Sequence, residues 1–168
     1  MIKQSCMKKV FAFWFINLIT QSLFAQITDT LKFQSSAFKK ERTIYVQTPP
    51  DYRYAAADVK FPVLYILDGQ HDWFVQPCIQ LITALQQTKE IPQLLIVVIP
   101  LEDRIQECNV DSLNGPTLSL HTFITKEIPE KLKPYLAGNF NALVGHSFSA
   151  SFALYALSLI HISQGIVR

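Results

Sequence analysis

The segment most suggestive of chemistry is residues 144–149, which read VGHSFS. An apolar run that predicts a strand precedes it, and a stretch rich in small residues that predicts a helix follows it. A serine in such a turn sits on a strained bend that lifts its Oγ above the sheet, where it can attack a carbonyl carbon. Small residues are needed two positions before and after the serine; Gly145 is one, and Ser149 stands where glycine is usual. We interpret Ser147 as a nucleophile, the alternative being an ordinary turn with a capping serine.

A second segment, residues 67–73 with the sequence LDGQHDW, follows an earlier predicted strand. Acyl transfer needs two backbone N–H groups aimed at the developing oxyanion. The residue after the nucleophile, Phe148, would supply one, and Gln70 in this loop would supply the other. His71 and Trp73 lie in the same loop and are candidate substrate contacts; for His71 a solvated loop histidine is the alternative.

Other polar residues near these segments receive structural interpretations. Asp68 ends a strand and is expected to hold the loop rather than to act as a base. Asp103 and Arg104 are expected to pair with each other or to line the cleft, and an ordinary solvated loop is the alternative. We expect His146 to pack against its surroundings and His121 to have a structural role within a helix.

Strands and helices alternate in the elements that must position these residues. Strands are predicted at 26–33, 42–47, 62–67, 94–99 and 141–144, and helices at 73–87, 117–136 and 148–157. The helix at 73–87 is expected to bury a face that includes Leu81, and 102–115 is expected to be a polar loop. Pro129 should kink or divide the second helix, which Gly138 and Asn139 should end. The continuous apolar runs are typical of parallel strands covered on both faces, so the fold class is α/β with a mostly parallel sheet.

Composition limits the partners and compartments. A chain of 168 residues usually forms one domain, and a net charge of +2 without a basic run argues against a nucleic-acid partner. Past the N-terminus, no apolar run reaches the ~18 residues of a membrane span. Cys78 and Cys108 could form a disulfide in an exported protein or remain two thiols, and neither has the spacing of a metal ligand.

Residues 1–25 are predicted to be a signal peptide. Lysines form a positive start, an apolar stretch rich in phenylalanine follows, and small Ala25 precedes Gln26 at the expected cleavage site. The protein is therefore expected in the periplasm or outside the cell. An uncleaved membrane anchor is the alternative.

Three groups of residues together resemble the Putative esterase (esterase D-like) family of the α/β-hydrolases. They are FPVLYILDG at 61–69, IP at 99–100 with DR at 103–104, and GHSF at 145–148 followed by FALYA at 152–156. The resemblance covers roughly residues 27–157. It implies a three-layer α/β-hydrolase fold, ester substrates, no metal, no cofactor and a Ser-Asp/Glu-His triad. It also implies that Ser147 is the nucleophile and that Gln70 and Phe148 form the oxyanion hole.

The other triad members are not found after Ser147. No Asp or Glu follows it, and His161, the one later histidine, lies about four helical turns further on. Because the acid and the histidine normally follow the serine, we expect this polypeptide to end before them and to be inactive by itself. Residues 26–157 would then be the N-terminal part of one hydrolase domain, with the strand at 141–144 left as an exposed apolar edge.

The last residues carry a separate hypothesis. Residues 157–162, LSLIHI, match one reading frame of a transposon end used in sequencing libraries. We interpret 158–168 as a non-native tail, the alternative being a native helix end.

These observations predict an exported serine hydrolase that acts on small-molecule carboxylic esters through an acyl-enzyme at Ser147. The alternatives are a non-catalytic binding protein on a hydrolase scaffold and an acyltransferase of the same fold.

Overall fold

The computed structural model describes residues 28–111 and 115–163, with side chains described up to Ser158. The predicted signal peptide at 1–25 and the final residues 164–168 lie outside the described residues. Within these residues no helix is both long and apolar enough to cross a membrane.

Five strands form one mixed sheet in the order β1-β2-β4-β3-β5. They are β1 Thr28–Ser35, β2 Lys40–Gln47, β3 Phe61–Ile66, β4 Leu95–Val98 and β5 Ala137–Val144. β3 runs parallel to β4 and β5, whereas β2 is antiparallel to β1 and β4. All five predicted strands are confirmed, with shifted ends.

The helices are α1 Asp72–Gln87, α2 Arg104–Glu107, α3 Gly115–Thr122, α4 Ile128–Leu132 and α5 Phe148–Ser163, with a π-helical segment at Phe123–Glu127. Short 3₁₀ turns occupy Tyr52–Tyr54 and Lys133–Tyr135. The expectation of a plain loop at 102–115 was wrong, because α2 and the start of α3 lie there. α5 also continues past the predicted end at 157.

Side chains alternate between the two faces of the sheet and build two apolar clusters. On β4, Leu95 and Val97 join the first cluster, while Ile96 and Val98 join the second. Helices α3, α4 and α5 cover the first cluster, and α1 covers the second. β4 is buried along its whole length, as expected of a strand between two neighbours with helices on both faces. The predicted three-layer αβα architecture of an α/β-hydrolase is confirmed.

The segment that leads into β5 differs in detail from the prediction. The predicted division of the long helix takes the form of the π-helical segment Phe123–Glu127, immediately before the turn that contains Pro129. Proline has no N–H, and its ring crowds the carbonyl four residues earlier, so a regular α-helix cannot continue through it. The prediction that Gly138 and Asn139 end the helical segment was wrong. Leu136, at φ 57°, reverses the chain instead, and β5 begins at the next residue.

Leu81 and the two cysteines of the described chain are side chains whose placement the structure decides. Leu81 is 61% exposed, so its predicted place on the buried face was wrong. It lies six residues after the buried Val75, about 120° around the helix. Cys78 and Cys108 are unpaired within the described residues, since Cys78 lies on α1 and packs against the second cluster, whereas Cys108 belongs to the first cluster on the opposite face of the sheet.

The outer side of β5 is open in the described part of the chain. Among the described strands β5 pairs with β3 alone, and Phe140 on β5 is 71% exposed. An apolar groove of about 740 Å³ runs along β5 between the π-helical segment and α5, and it meets the 144–149 turn at Gly145. The exposed edge expected for this strand is therefore present among the described residues.

Candidate active site

The loops that follow β3 and β5 meet at one edge of the sheet. Ile66 and Val144 are register partners, and Leu67 N–H donates to the carbonyl of Val144 at 2.9 Å. Since β3 and β5 are parallel neighbours, the residues after them leave the sheet side by side. The two sequence motifs, whose first residues Leu67 and Val144 are 77 positions apart in the chain, are therefore adjacent in space.

Ser147 occupies the turn between β5 and α5 with φ 53°. A non-glycine residue in this left-handed region costs on the order of 1–3 kcal/mol and persists only where the surroundings impose it. The residue is exposed at the tip of the turn. This strand–turn–helix geometry is the one that a nucleophile elbow requires.

Gly145 allows β5 and α5 to approach as closely as the turn requires. A Cβ placed on Gly145 would lie 2.6 Å from both the carbonyl carbon and the oxygen of Ser149. It would also lie 2.8 Å from the nitrogen of Ala150. Backbone atoms cannot move aside as a side chain can, so only glycine fits this position.

Ser149, the position where glycine is usual, is fully buried and has specific partners. Its Oγ donates to Asp68 Oδ2 at 2.6 Å and accepts from the backbone N–H of His146 at 2.7 Å. Its hydroxyl therefore occupies the space beside the turn without opening it. The turn tolerates serine here because the hydroxyl both donates and accepts a hydrogen bond, so burial leaves neither function unsatisfied.

Asp68 lies at the centre of these contacts. It is fully buried at φ 62°, and its Oδ1 accepts from Arg104 Nε at 2.7 Å and from Gln70 Nε2 at 3.3 Å. A buried carboxylate needs such partners because it has lost its hydration. Its contacts are those expected of a residue that holds the loop.

Arg104 connects the same carboxylate to the turn. Its Nη2 donates to the carbonyl of His146 at 2.8 Å. Of the alternatives for Asp103 and Arg104, the pairing of the two with each other was wrong, because Arg104 binds Asp68 and lies beside the turn. Asp103 instead caps α2, accepting from Gln106 N–H at 3.0 Å, and this turns Arg104 toward Asp68.

A buried ion pair holds α2, and with it Arg104, against the sheet. Arg42 on β2 donates from Nη1 and Nη2 to the two carboxylate oxygens of Glu107, both at 2.9 Å. Both side chains are buried, and Arg42 also lies over the ring of Phe38 at 4.0 Å. A bidentate pair of this kind fixes orientation as well as distance.

The two backbone N–H groups predicted for an oxyanion hole belong to Gln70 and Phe148. Neither donates to an acceptor within the described residues. Gln70 is exposed, while its side chain folds back to accept from Leu101 N–H at 2.8 Å. Phe148 is the first residue of α5, where N–H groups have no intrahelical partner. Both groups are thus available for a ligand.

Aromatic rings form one wall beside the turn. The ring of His146 stands edge-on to Trp73 with centroids 5.0 Å apart, and it lies 5.4 Å from Phe74. His71 precedes α1 and lies 6.1 Å from Trp73, which is 62% exposed. His146 makes these ring contacts although it is exposed, so its predicted packing is only partial. Exposed Trp73 remains a candidate for contact with a ligand.

No histidine of the described residues is hydrogen-bonded to Ser147. His121 lies in α3, where burial, with Lys126 as a secondary cause, lowers its pKa. Its Nε2 is buried without a partner in the described structure. His121 is thus a packed helix residue, as predicted.

Sequence reasoning missed the contacts of Ser149 and Arg104. The departure from glycine at 149 was visible, yet its partner lies 81 residues away, and Arg104 lies 36 residues from Asp68. The one signal in the sequence was Asp68 itself, because a carboxylate at the end of a buried strand needs a cation or hydrogen-bond donors nearby.

Comparison with known proteins identifies relatives of this arrangement. Residues 35–159 match the model of a family described as Putative esterase. A search of curated proteins found no match. Among solved structures, an IroE-like serine hydrolase from Shewanella oneidensis aligns with TM-score 0.68 and 24% identity over 79% of this chain. An enterochelin esterase from Shigella flexneri aligns with TM-score 0.60 and 19% identity, and the BES protein from Bacillus cereus with 0.60 and 22%, each over 77% of this chain.

The chain spans only part of these structures: 46%, 32% and 55% of their respective lengths. At these identities the likeness establishes the fold, which is that of the α/β-hydrolases.

Proposed function

Because the chain belongs to the Putative esterase family of α/β-hydrolases, we propose that its protein hydrolyses carboxylic esters through an acyl-enzyme formed on Ser147. The observation that carries this proposal is the strained, exposed Ser147 at φ 53° between β5 and α5. Strain at a non-glycine residue is retained where a turn must present a side chain, as an attacking hydroxyl requires.

The reaction begins when Ser147 Oγ attacks the carbonyl carbon of the ester. A general base takes the hydroxyl proton, because serine is a weak nucleophile at neutral pH. The order of triad residues in this fold assigns that role to a histidine later in the protein than the turn. The base then gives this proton to the departing alcohol. Water attacks the carbonyl carbon of the acyl-enzyme while the base takes its proton, and the base returns that proton to Ser147 Oγ as the carboxylic acid leaves.

Two N–H groups that have no acceptor within the described residues stabilise the tetrahedral oxyanion in this scheme. Phe148 donates from the N-terminus of α5, where the helix dipole also favours negative charge. Gln70 donates from the loop after β3. The geometric support is that β3 and β5 are adjacent and that Ser149 and Asp68 hold their two loops at hydrogen-bond distance.

The substrate class is inferred from the family and from the site. The similar solved structures include an enterochelin esterase and a ferulic acid esterase, so we propose a small-molecule ester as the substrate. The ring of Trp73 would lie against part of that molecule. With residues 1–25 acting as a signal peptide, the reaction would take place in the periplasm or outside the cell.

The test is made on the protein expressed from its complete gene. Ser147→Ala should lower the rate of nitrophenyl butyrate hydrolysis by on the order of a thousandfold or more. It should also abolish labelling by a fluorophosphonate, which reacts with activated serines. Ser151→Ala is the matched control, since Ser151 is an exposed serine one helical turn further on. Equal activity of Ser147→Ala and wild type would show that Ser147 is not the nucleophile.

A further inference from the structure

We propose that Ser149, Asp68 and Arg104 are positioning residues that set the distance between the two oxyanion-hole N–H groups. The inference rests on the proposed function, because it concerns the donors of that reaction. It assigns to the Ser149 hydroxyl a task that glycine, the usual residue at this position, cannot perform.

The Ser149 hydroxyl joins the two segments that carry the donors. Ser149 follows Phe148 directly, and Asp68 lies two residues before Gln70. The 2.6 Å hydrogen bond between Ser149 and Asp68 therefore spans the gap across which the two N–H groups must converge. Because oxyanion stabilisation depends on donor placement within tenths of an ångström, a bond at this place controls the rate.

The same hydroxyl also fixes the residue before the nucleophile. It accepts from His146 N–H at 2.7 Å while it donates to Asp68. Arg104 binds His146 from the other side, through the carbonyl, at 2.8 Å. The peptide groups on both sides of His146 are thus held, and Ser147 is presented from a rigid support.

Arg104 closes the network, because its two nitrogens contact the two loops. Nε binds Asp68 at 2.7 Å, and Nη2 binds His146. The buried Arg42–Glu107 pair keeps α2 in place behind it. Three hydrogen bonds thus connect the loop after β3, α2 and the turn after β5, and a fourth, from His146 N–H to Ser149 Oγ, lies within that turn.

Loss of the Ser149 hydroxyl leaves buried groups without partners. In Ser149→Gly and Ser149→Ala, Asp68 Oδ2 loses its hydrogen bond and His146 N–H loses its acceptor. The loops then shift to satisfy these groups, and the oxyanion donors separate. The charged oxyanion forms in the transition state and not in the bound ester. Separation of the donors therefore weakens binding of the transition state more than binding of the ester, so kcat falls while KM changes little.

The experiment uses the protein expressed from its complete gene, with wild type and Ser147→Ala establishing that hydrolysis depends on Ser147. Ser149→Ala should lower kcat about 10- to 100-fold with KM within about twofold. Its Ki for a boronic acid, which forms a charged tetrahedral adduct on serine, should rise by a similar factor. Ser119→Ala is the control, since its hydroxyl donates to the Ala37 carbonyl at 2.8 Å far from the turn. It should lower Tm without changing kcat or Ki.

Arg104→Lys provides a second test of the proposal if the Ser149→Ala protein does not fold. It retains a cation for Asp68 but loses the planar fork that reaches two acceptors. We expect its kcat to fall severalfold with KM nearly unchanged. Unchanged kcat and Ki in folded Ser149→Ala, or in folded Arg104→Lys where the alanine variant is unfolded, would overturn the proposal while leaving Ser147 as nucleophile. Activity that survives Ser147→Ala would instead refute the proposed function.

Discussion

The backbone N–H of Leu101 donates to the side-chain Oε1 of Gln70 at 2.8 Å. This bond ties the loop after β3 to the segment after β4, and Leu101 is buried. The side chain of Gln70 therefore supports the loop, while its backbone N–H stays unpaired within the described residues. The side chain and the backbone N–H of Gln70 can therefore be removed by different substitutions and tested separately.

Substitutions at Gln70 should separate stability from rate. Gln70→Ala keeps the backbone N–H but leaves Leu101 N–H unpaired, so the free energy of unfolding should fall by about 1–2 kcal/mol. Its kcat should change only slightly. Gln70→Pro removes the backbone N–H and should lower kcat by on the order of a hundredfold or more. Urea unfolding and steady-state kinetics on the complete protein measure both effects. A folded Gln70→Pro with full activity would place the oxyanion hole elsewhere.

Gly145→Ala should destabilise the turn itself. Its Cβ would lie 2.6 Å from backbone atoms of Ser149, an overlap that only a backbone shift relieves. We expect a loss of about 1–3 kcal/mol in the free energy of unfolding, with lower kcat. Gly115→Ala is the control, because no atom of the described residues lies within 4 Å of a Cβ placed on Gly115, which begins α3. Equal unfolding free energies for the two variants would contradict the tight approach of β5 and α5.

The two thiols described in the structure should differ sharply in reactivity. Burial, followed by the nearby charges of Asp68 and Glu107, raises the pKa of Cys108 to about 12. Because the thiolate is the reactive form, iodoacetamide at pH 8 should spare Cys108 in the folded protein and alkylate Cys78, which is partly exposed. Both should react in 6 M guanidinium chloride, with peptide mass mapping to identify each site. A recovered Cys78–Cys108 disulfide peptide would contradict the unpaired state.

Stability should decrease as the solution becomes mildly acidic, and His121 should contribute. Its pKa is lowered from 6.5 by burial and by Lys126, so the unfolded chain binds more protons at pH values just below 6.5. The free energy of unfolding should therefore be smaller at pH 5.5 than at pH 7.5. His121→Leu should reduce this difference. Thr125→Val, which removes a hydroxyl bonded to the His121 carbonyl, should leave the difference unchanged. An unchanged pH dependence in His121→Leu would exclude the histidine as its source.

Local sequence patterns were sufficient to predict most strands and helices and the turn around Ser147. Apolar runs such as 62–67 and 94–99 predicted buried strands because parallel strands covered on both faces carry few polar residues. The spacing around Ser147 predicted the turn because steric limits at a strand–helix junction act over a few residues. The errors concerned elements without such patterns: α2 depends on the capping carboxylate of Asp103, and the chain reverses at Leu136 rather than at Gly138.

The sequence by itself determined the α/β class, the strand–turn–helix around Ser147 and the loop that contains Gln70. Only the tertiary structure decided which strands are neighbours, and hence that Arg104 and Ser149 form one network around the buried carboxylate of Asp68. The physical reason is the separation along the chain over which each kind of interaction acts. Periodicity and turn chemistry act between residues close in the chain, whereas the partner of a buried charge is chosen by packing, which brings residues 36 and 81 positions apart into hydrogen-bond contact.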